Sequence, residues 1–294
     1  MALGLLAMAF FITVGALGPA KNQAQDLSVG PQLPWTPLTS ERFVVLGDSH
    51  GGHLVSGLRS VTSGTVTAYT SGGCIPFRNV DRYDSRFARG ECARKVNAYL
   101  DKLIAEDPSA IVILSSMGPV YLEGTAFNGK DQARVTGLGV ELTTDLTIRD
   151  RATVFEVGIR STLAELSQLK NVAIVFAIDI PELGIDHGCE KQSKTIELGA
   201  FKLFDLVNDP QEEACFVSRR SYDDRSRAYK ALVQRVLLDF PKVRVFDPTD
   251  AFCDEEKCKG FDPEHGLLYR DVDHLSEAGS RYYALKLLEF LRAR

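Results

Sequence analysis

Two short stretches, near opposite ends of the chain, hold the residue types that activate a hydroxyl. Gly47-Asp48-Ser49-His50-Gly51-Gly52 places a serine directly behind an apolar run, Phe43 to Leu46. Tyr269-Arg270-Asp271-Val272-Asp273-His274-Leu275-Ser276 supplies an imidazole with two carboxylates just before it. A serine hydroxyl is a weak nucleophile until a base takes its proton, and the base needs a carboxylate to fix its tautomer. Asp-x-x-His on one loop supplies both, with His274 as base and Asp271 as its orienter. Asp273 is the rival orienter, placed second because a side chain adjacent to His274 is expected to point elsewhere. A serine at a strand-to-helix turn also brings its own N–H and a helix N-terminus to a developing oxyanion. The plainer reading makes Ser49 a helix cap and the aspartates dipole partners of the last helix. The presence of both stretches favours catalysis.

Elements must bring these stretches together. Apolar, β-rich runs at Phe43 to Leu46, Val66 to Thr70, Ile111 to Leu114, Val172 to Ile178 and Val243 to Phe246 read as five buried strands. Helical stretches lie between and after them, at His53 to Val61, Glu91 to Glu106, Asp150 to Leu169, Tyr222 to Phe240 and Ser276 to Ala293. This alternation predicts a three-layer, flavodoxin-like α/β sandwich around a five-stranded parallel sheet. Ligands in such sheets bind beyond the carboxyl ends of the strands, which is where Ser49 falls. Gly118 to Asp145 and Pro181 to Ser221 read as long irregular loops on that same face.

With 294 residues, 45% of them hydrophobic, the chain can bury a sizeable core, and its net charge of −5 excludes a nucleic-acid partner. Residues 1–20 form an apolar signal sequence or membrane anchor, the anchor being favoured because no basic residue precedes Lys21. Residues 21–40 read as a polar linker, and 41–294 as the globular domain. All six cysteines, Cys74, Cys92, Cys189, Cys215, Cys253 and Cys258, lie beyond the apolar start, which fits an oxidising, extracytoplasmic compartment. Six cysteines allow fifteen pairings, of which joining neighbours along the chain is the simplest. The absence of any CxxC argues against zinc.

Gly47-Asp48-Ser49-His50 resembles the opening block of the SGNH, or GDSL-like, hydrolases, and Asp271-x-x-His274 resembles their closing block. Ser71-Gly72-Gly73-Cys74-Ile75-Pro76, the Cys253 and Cys258 pair and the stretch Tyr269 to Ser276 resemble, more narrowly, SGNH domains fused behind acyltransferase-3 membrane proteins. The resemblance implies an acyl-serine enzyme that O-acetylates a surface polysaccharide, with the acetyl donor supplied by a membrane partner and no cofactor bound. It implies an oxyanion hole from the amides of Ser49 and Gly73, or Gly72. The family's third block carries an asparagine donor; here Ser115-Ser116-Met117-Gly118-Pro119 stands in its place, leaving Ser116 or a backbone amide as substitute and Asn128 as an ordinary loop residue.

Three other readings stand beside the transferase. A carbohydrate esterase would use the same acyl-serine and differ only in its acceptor. A non-catalytic polysaccharide-binding domain would explain the altered third block. A metallophosphoesterase would recruit Asp48 and His50 as metal ligands, but its remaining ligand blocks are missing, and His50 and His53 are expected as surface or cleft residues.

Overall fold

The computed structural model describes residues 41–129, 132–184, 196–198, 201–203 and 215–293. The expected anchor at 1–20, the linker at 21–40 and Cys189 lie outside the described residues. In chain order the elements are β1 (Arg42–Gly47), α1 (Ser49–Val61), β2 (Thr65–Thr70), β3 (Val80–Tyr83), α2 (Glu91–Glu106), β4 (Ala110–Ser115), α3 (Pro119–Glu123), β5 (Gly139–Leu142), α4 (Arg151–Leu166) and β6 (Val172–Ala177). They continue with β7 (Ile196–Leu198), β8 (Phe201–Leu203), β9 (Phe216–Ser218), α5 (Arg219–Leu237), β10 (Arg244–Phe246), α6 (Thr249–Phe252), β11 (Lys257–Lys259), β12 (Phe261–Asp262), β13 (Gly266–Leu267) and α7 (Glu277–Arg292).

The five expected strands form one parallel sheet in the order β10-β6-β4-β1-β2. Alternation along each strand divides the core. Val44 and Leu46 of β1, with Val112 and Leu114 of β4, face α2, α4 and α5, while Phe43, Val45, Ile111 and Ile113 face α1 and α7. Both faces are covered, which is why these strands read as continuous apolar runs. The chain leaves β1 toward β2 and then crosses back to β4, so the β1/β4 boundary is the topological switch point where an open α/β sheet makes its crevice. Ser49 follows β1, and Ser116 to Gly118 follow β4, at that boundary.

α7 lies directly on α1, where a Cβ at Gly57 would come within 1.9 Å of the Ser280 carbonyl, and on the loop before it, where one at Gly279 would come within 1.9 Å of the Leu268 carbonyl. These contacts seat the last helix, and hence the loop before it, against the helix that begins at Ser49.

The expected irregular stretch Gly118 to Asp145 instead contains α3 and β5, and β5 pairs antiparallel with β3, Val80 opposite Leu142. Neither strand is long or apolar enough to declare itself; each exists because the other is there, a pairing no local pattern encodes. α1 begins four residues earlier than the expected His53. Gly51 and Gly52 are poor helix formers, but Gly51 relieves a tight approach, because a Cβ there would stand 3.1 Å from the Ser115 carbonyl.

Candidate active site

The turn between β1 and α1 is built around Asp48, which is fully buried. One carboxylate oxygen accepts the His50 N–H at 2.8 Å and caps α1; the other accepts the Met117 N–H at 3.1 Å and the Tyr121 hydroxyl at 2.8 Å. Asp48 thereby ties the turn after β1 to the turn after β4 and fixes where Ser49 points. Gly47 permits the approach, since a Cβ there would fall 2.4 Å from the Ser115 carbonyl.

His274 reaches this turn from the loop before α7. Its Nε2 lies 3.1 Å from Ser49 Oγ, and its Nδ1 lies 2.9 Å from Asp271 Oδ1. The loop is a wound turn: Asp271 Oδ1 also accepts the N–H groups of Asp273 at 3.1 Å and His274 at 2.7 Å. Neighbours brace it, with Leu183 N–H donating to Val272 O at 2.9 Å and the Tyr269 hydroxyl to Pro181 O at 2.7 Å. The expectation for Asp273 is corrected: its Oδ1 stands 2.8 Å from His274 Nδ1, so the imidazole faces two carboxylates. The tight turn, which sequence adjacency does not reveal, folds the Asp273 side chain back onto its neighbour. Burial opposes a charge on His274, but its hydrogen bonds to Asp271 and then Asp273 outweigh burial and raise its pKa above the ordinary histidine value. For Asp271, burial is likewise outweighed, by the bond from His274, and the carboxyl is held below its usual range.

His50 and His53 are not surface or cleft residues; they are 3% and 6% exposed. α1 starts early enough to bring both rings against His274. The three imidazoles cluster, with ring centroids 5.1 Å apart for His50 and His53, 5.4 Å for His50 and His274, and 5.1 Å for His53 and His274. His50 Nδ1 is bonded to Asp179 Oδ1 at 2.6 Å, and burial is overcome by that carboxylate, with Asp48 and Asp273 behind it, so that the pKa rises to about 10. Among the described residues neither nitrogen of His53 has a hydrogen-bond partner. Burial, then the neighbouring charges on His50 and His274, push its pKa down to about 2.

Beyond β2, Ser71 N–H donates to Gly47 O at 3.0 Å, and Cys74 N–H closes a turn onto Ser71 O at 2.9 Å. Gly73 occupies the third position of that turn at φ 80°, a conformation that calls for glycine. A Cβ on Gly73 would lie 2.9 Å from Arg82 Nη1, whereas one on Gly72 would meet nothing, so Gly73 is the constrained member of the pair. Buried Arg82 donates to the Gly73 carbonyl at 2.9 Å, and the Cys74–Cys92 disulfide pins the turn to α2. Among the described residues no backbone bond uses the Ser49 or Gly73 N–H. The third-block stretch differs: Met117 N–H serves Asp48 and Gly118 N–H serves Asp179 at 3.1 Å, so both amides are already engaged. Ser116 is buried and Asn128 is exposed.

Cys253 and Cys258 are joined, as expected for chain neighbours, and Cys215 is disulfide-bonded. As for metal, donor atoms of His50, Asp273 and His274 lie within 4.8 Å of one another. His274 has one nitrogen on the carboxylates and the other on Ser49, and Asp48 is filled by amide and hydroxyl donors. An ion bound there would have to break the Ser49–His274 contact or the turn itself.

Asp179, Tyr121, Arg82, Glu182 and Arg225 escaped the sequence reading. Asp179 had a signal, since it directly follows the fourth apolar run at the carboxyl end of the sheet. Arg225 of α5 had none: it donates to Glu182 at 2.7 Å and to Glu123 and so supports the Pro181 to Leu183 brace, a contact made only by tertiary packing. Burial, moderated by Arg225, lifts the Glu182 carboxyl to about 7.

The parallel sheet, the switch-point serine and the closing histidine define an SGNH-hydrolase fold. Residues 20–289 match the family model described as SGNH domain (fused to AT3 domains), and the chain belongs to that family. Among solved structures it is similar to the periplasmic domain of a lipopolysaccharide acetyltransferase from Salmonella ser. Paratyphi A, at 14% identity over 85% of this chain and 83% of that one, with a TM-score of 0.52. That likeness concerns the fold. A gut microbial diltiazem-metabolizing enzyme also matches, at 13% identity over 86% of this chain and 47% of that one, with a TM-score of 0.42. No curated protein matches the chain. Among the described residues no helix is long and apolar enough to cross a membrane.

Proposed function

We propose that the protein is an extracytoplasmic O-acyltransferase that passes an acyl group, through an acyl-serine on Ser49, to a sugar hydroxyl of a surface polysaccharide. The observation that carries this reading is the 3.1 Å contact between Ser49 Oγ and His274 Nε2, with carboxylates on the opposite nitrogen. His274 takes the Ser49 proton as Oγ attacks the acyl carbonyl, and the amides of Ser49 and Gly73 hold the oxyanion. The proton then passes from His274 to the leaving oxygen. In the second half His274 takes the proton of the acceptor hydroxyl, whose oxygen displaces Ser49 from the acyl carbon, and Ser49 regains a proton from His274. Asp271 and Asp273 hold the ring and balance its charge. Fusion of the family to AT3 domains supports a membrane acyltransferase-3 partner as donor. The similar Salmonella structure, a lipopolysaccharide acetyltransferase domain, supports acetyl as the group and a polysaccharide as the acceptor.

The test is intact-mass spectrometry of the purified chain after brief exposure to p-nitrophenyl acetate. Wild type is expected to gain one acetyl group, absent in Ser49→Ala and not formed in His274→Ala. No adduct and no ester turnover in wild type would remove the acyl-serine step. Acetyl appearing on added polysaccharide, rather than free acetate alone, separates transferase from esterase.

A further inference from the structure

His50 sits in the turn that carries Ser49, yet the acyl-transfer cycle gives it no step. Its ring is nonetheless fixed. Nδ1 is bonded to Asp179 at 2.6 Å, and the second oxygen of Asp179 accepts the Gly118 N–H, so both carboxylate oxygens are used in holding the ring against the turn after β4. Nε2 is buried with no hydrogen-bond partner among the described residues, and the ring stands edge-on to His274. Asp273 therefore lies between two imidazoles, bonded to His274 and within 4.8 Å of a nitrogen of His50.

Among the described residues, the charged groups facing His50 are three carboxylates, Asp179 after β6, Asp48 of its own turn and Asp273 of the loop before α7. The other titratable neighbours are the rings of His53 and His274. Three carboxylates around one buried ring keep a proton on it. His274 has the opposite difficulty: two carboxylates on one nitrogen favour the protonated ring, and a protonated base cannot accept the Ser49 proton.

We propose that the Asp179–His50 pair is a positioning unit for the base, a fixed buried imidazolium beside Asp273 that offsets the carboxylate field on His274 and leaves it able to accept a proton near neutrality. His50 acts through His274, and the inference rests on the acyl-serine reading. It gives the histidine after the serine a task distinct from metal binding, and it explains why Asp179 stands at the end of β6.

The experiment is nitrogen-15 histidine NMR of the full chain across pH, which reads both rings without turnover, alongside the pH profile of Ser49 acetylation by p-nitrophenyl acetate. In wild type both His50 nitrogens stay protonated through neutrality. His50→Gln moves the His274 midpoint upward; since Asp179 then takes up a proton and cancels part of the lost field, the shift is about one pH unit for rings 5.4 Å apart. Asp179→Asn, which keeps a side-chain oxygen for the Gly118 amide, moves it the same way and serves if His50→Gln fails to fold. Asp273→Asn moves it downward, and the acid limb of acetylation follows each shift. A neutral His50 at pH 7, or folded variants that move His274 together in one direction or not at all, would overturn the proposal. If the NMR shifts appear but no variant or wild type is acetylated at any pH, the acyl-serine reading fails and the field on His274 stands. Acetylation with an unmoved His274 sinks the positioning role alone.

Discussion

Replacing Asp271 by Asn tests whether two carboxylates truly share the work on His274. In most serine triads one carboxylate holds the imidazole, and its loss costs about 10⁴ in rate. Here Asp271→Asn leaves Asp273 at 2.8 Å from Nδ1. It also leaves an Oδ1 able to accept the Asp273 and His274 N–H groups, so the turn survives and only a charge is removed. A hydrogen bond to a charged group contributes about 1.5–3 kcal/mol. Asp271 is 40% exposed and solvent screens it, which puts its share at the low end, about 1.5 kcal/mol or roughly tenfold in acylation rate. Asp273, 8% exposed, belongs at the upper end, about 3 kcal/mol or roughly a hundredfold. Removing both leaves Nδ1 without a carboxylate and should approach the full loss of about 10⁴. The assay is the pre-steady-state burst of p-nitrophenol from p-nitrophenyl acetate, taken on the alkaline plateau so that shifts in His274 protonation do not enter. Asp271→Asn falling alone to the level of His274→Ala, or a double variant no slower than Asp273→Asn, would refute the shared arrangement.

Other outcomes follow from the same geometry. Gly73→Ala sets a Cβ 2.9 Å from Arg82 at a positive φ, and acylation should drop about a hundredfold as the oxyanion amide is displaced, with a loss of stability of about 1 kcal/mol from the strained φ; an unchanged burst rate would take Gly73 out of the oxyanion hole. Because His274 is raised above its ordinary value, the acid limb of acylation should lie above pH 6.5, activity falling as pH drops through it; a limb at or below that value contradicts the two-carboxylate field. His53 is depressed to about 2, so below pH 6.5 the unfolded ring binds a proton the folded one refuses. Stability should fall by up to about 1.4 kcal/mol per pH unit from there down, and His53→Phe should flatten the slope in urea midpoints between about pH 6.5 and 5, above the range where most carboxylates titrate. Replacing Cys74 and Cys92 together by alanine opens a link across 18 residues and should cost about 3 kcal/mol, read as a lower melting temperature.

Much of this was legible in the sequence because it is written locally. Apolar runs of strand length, separated by helical stretches, announce a parallel sheet covered on both faces. Ser49 and His274 lie beside such elements, and their types carry their chemistry. Asp273 was legible as a carboxylate but not as a ligand of His274, because its direction depends on how Asp271 winds the loop. His50 and His53 have no local mark of burial; they are buried because α1 starts at Ser49 and α7 packs across it at the close contact between Gly57 and Ser280.

Sequence by itself determined the sheet, its helices and the two short stretches that hold Ser49 and His274, since each follows from residue type and spacing over a few neighbours. Tertiary structure alone decided the electrostatics around them: Asp179 on His50, two carboxylates on His274, Arg82 on the Gly73 carbonyl and Arg225 on Glu182. These partners come from elements far apart in the chain, and a charge–charge energy depends on distance and burial, which exist only once the chain has folded.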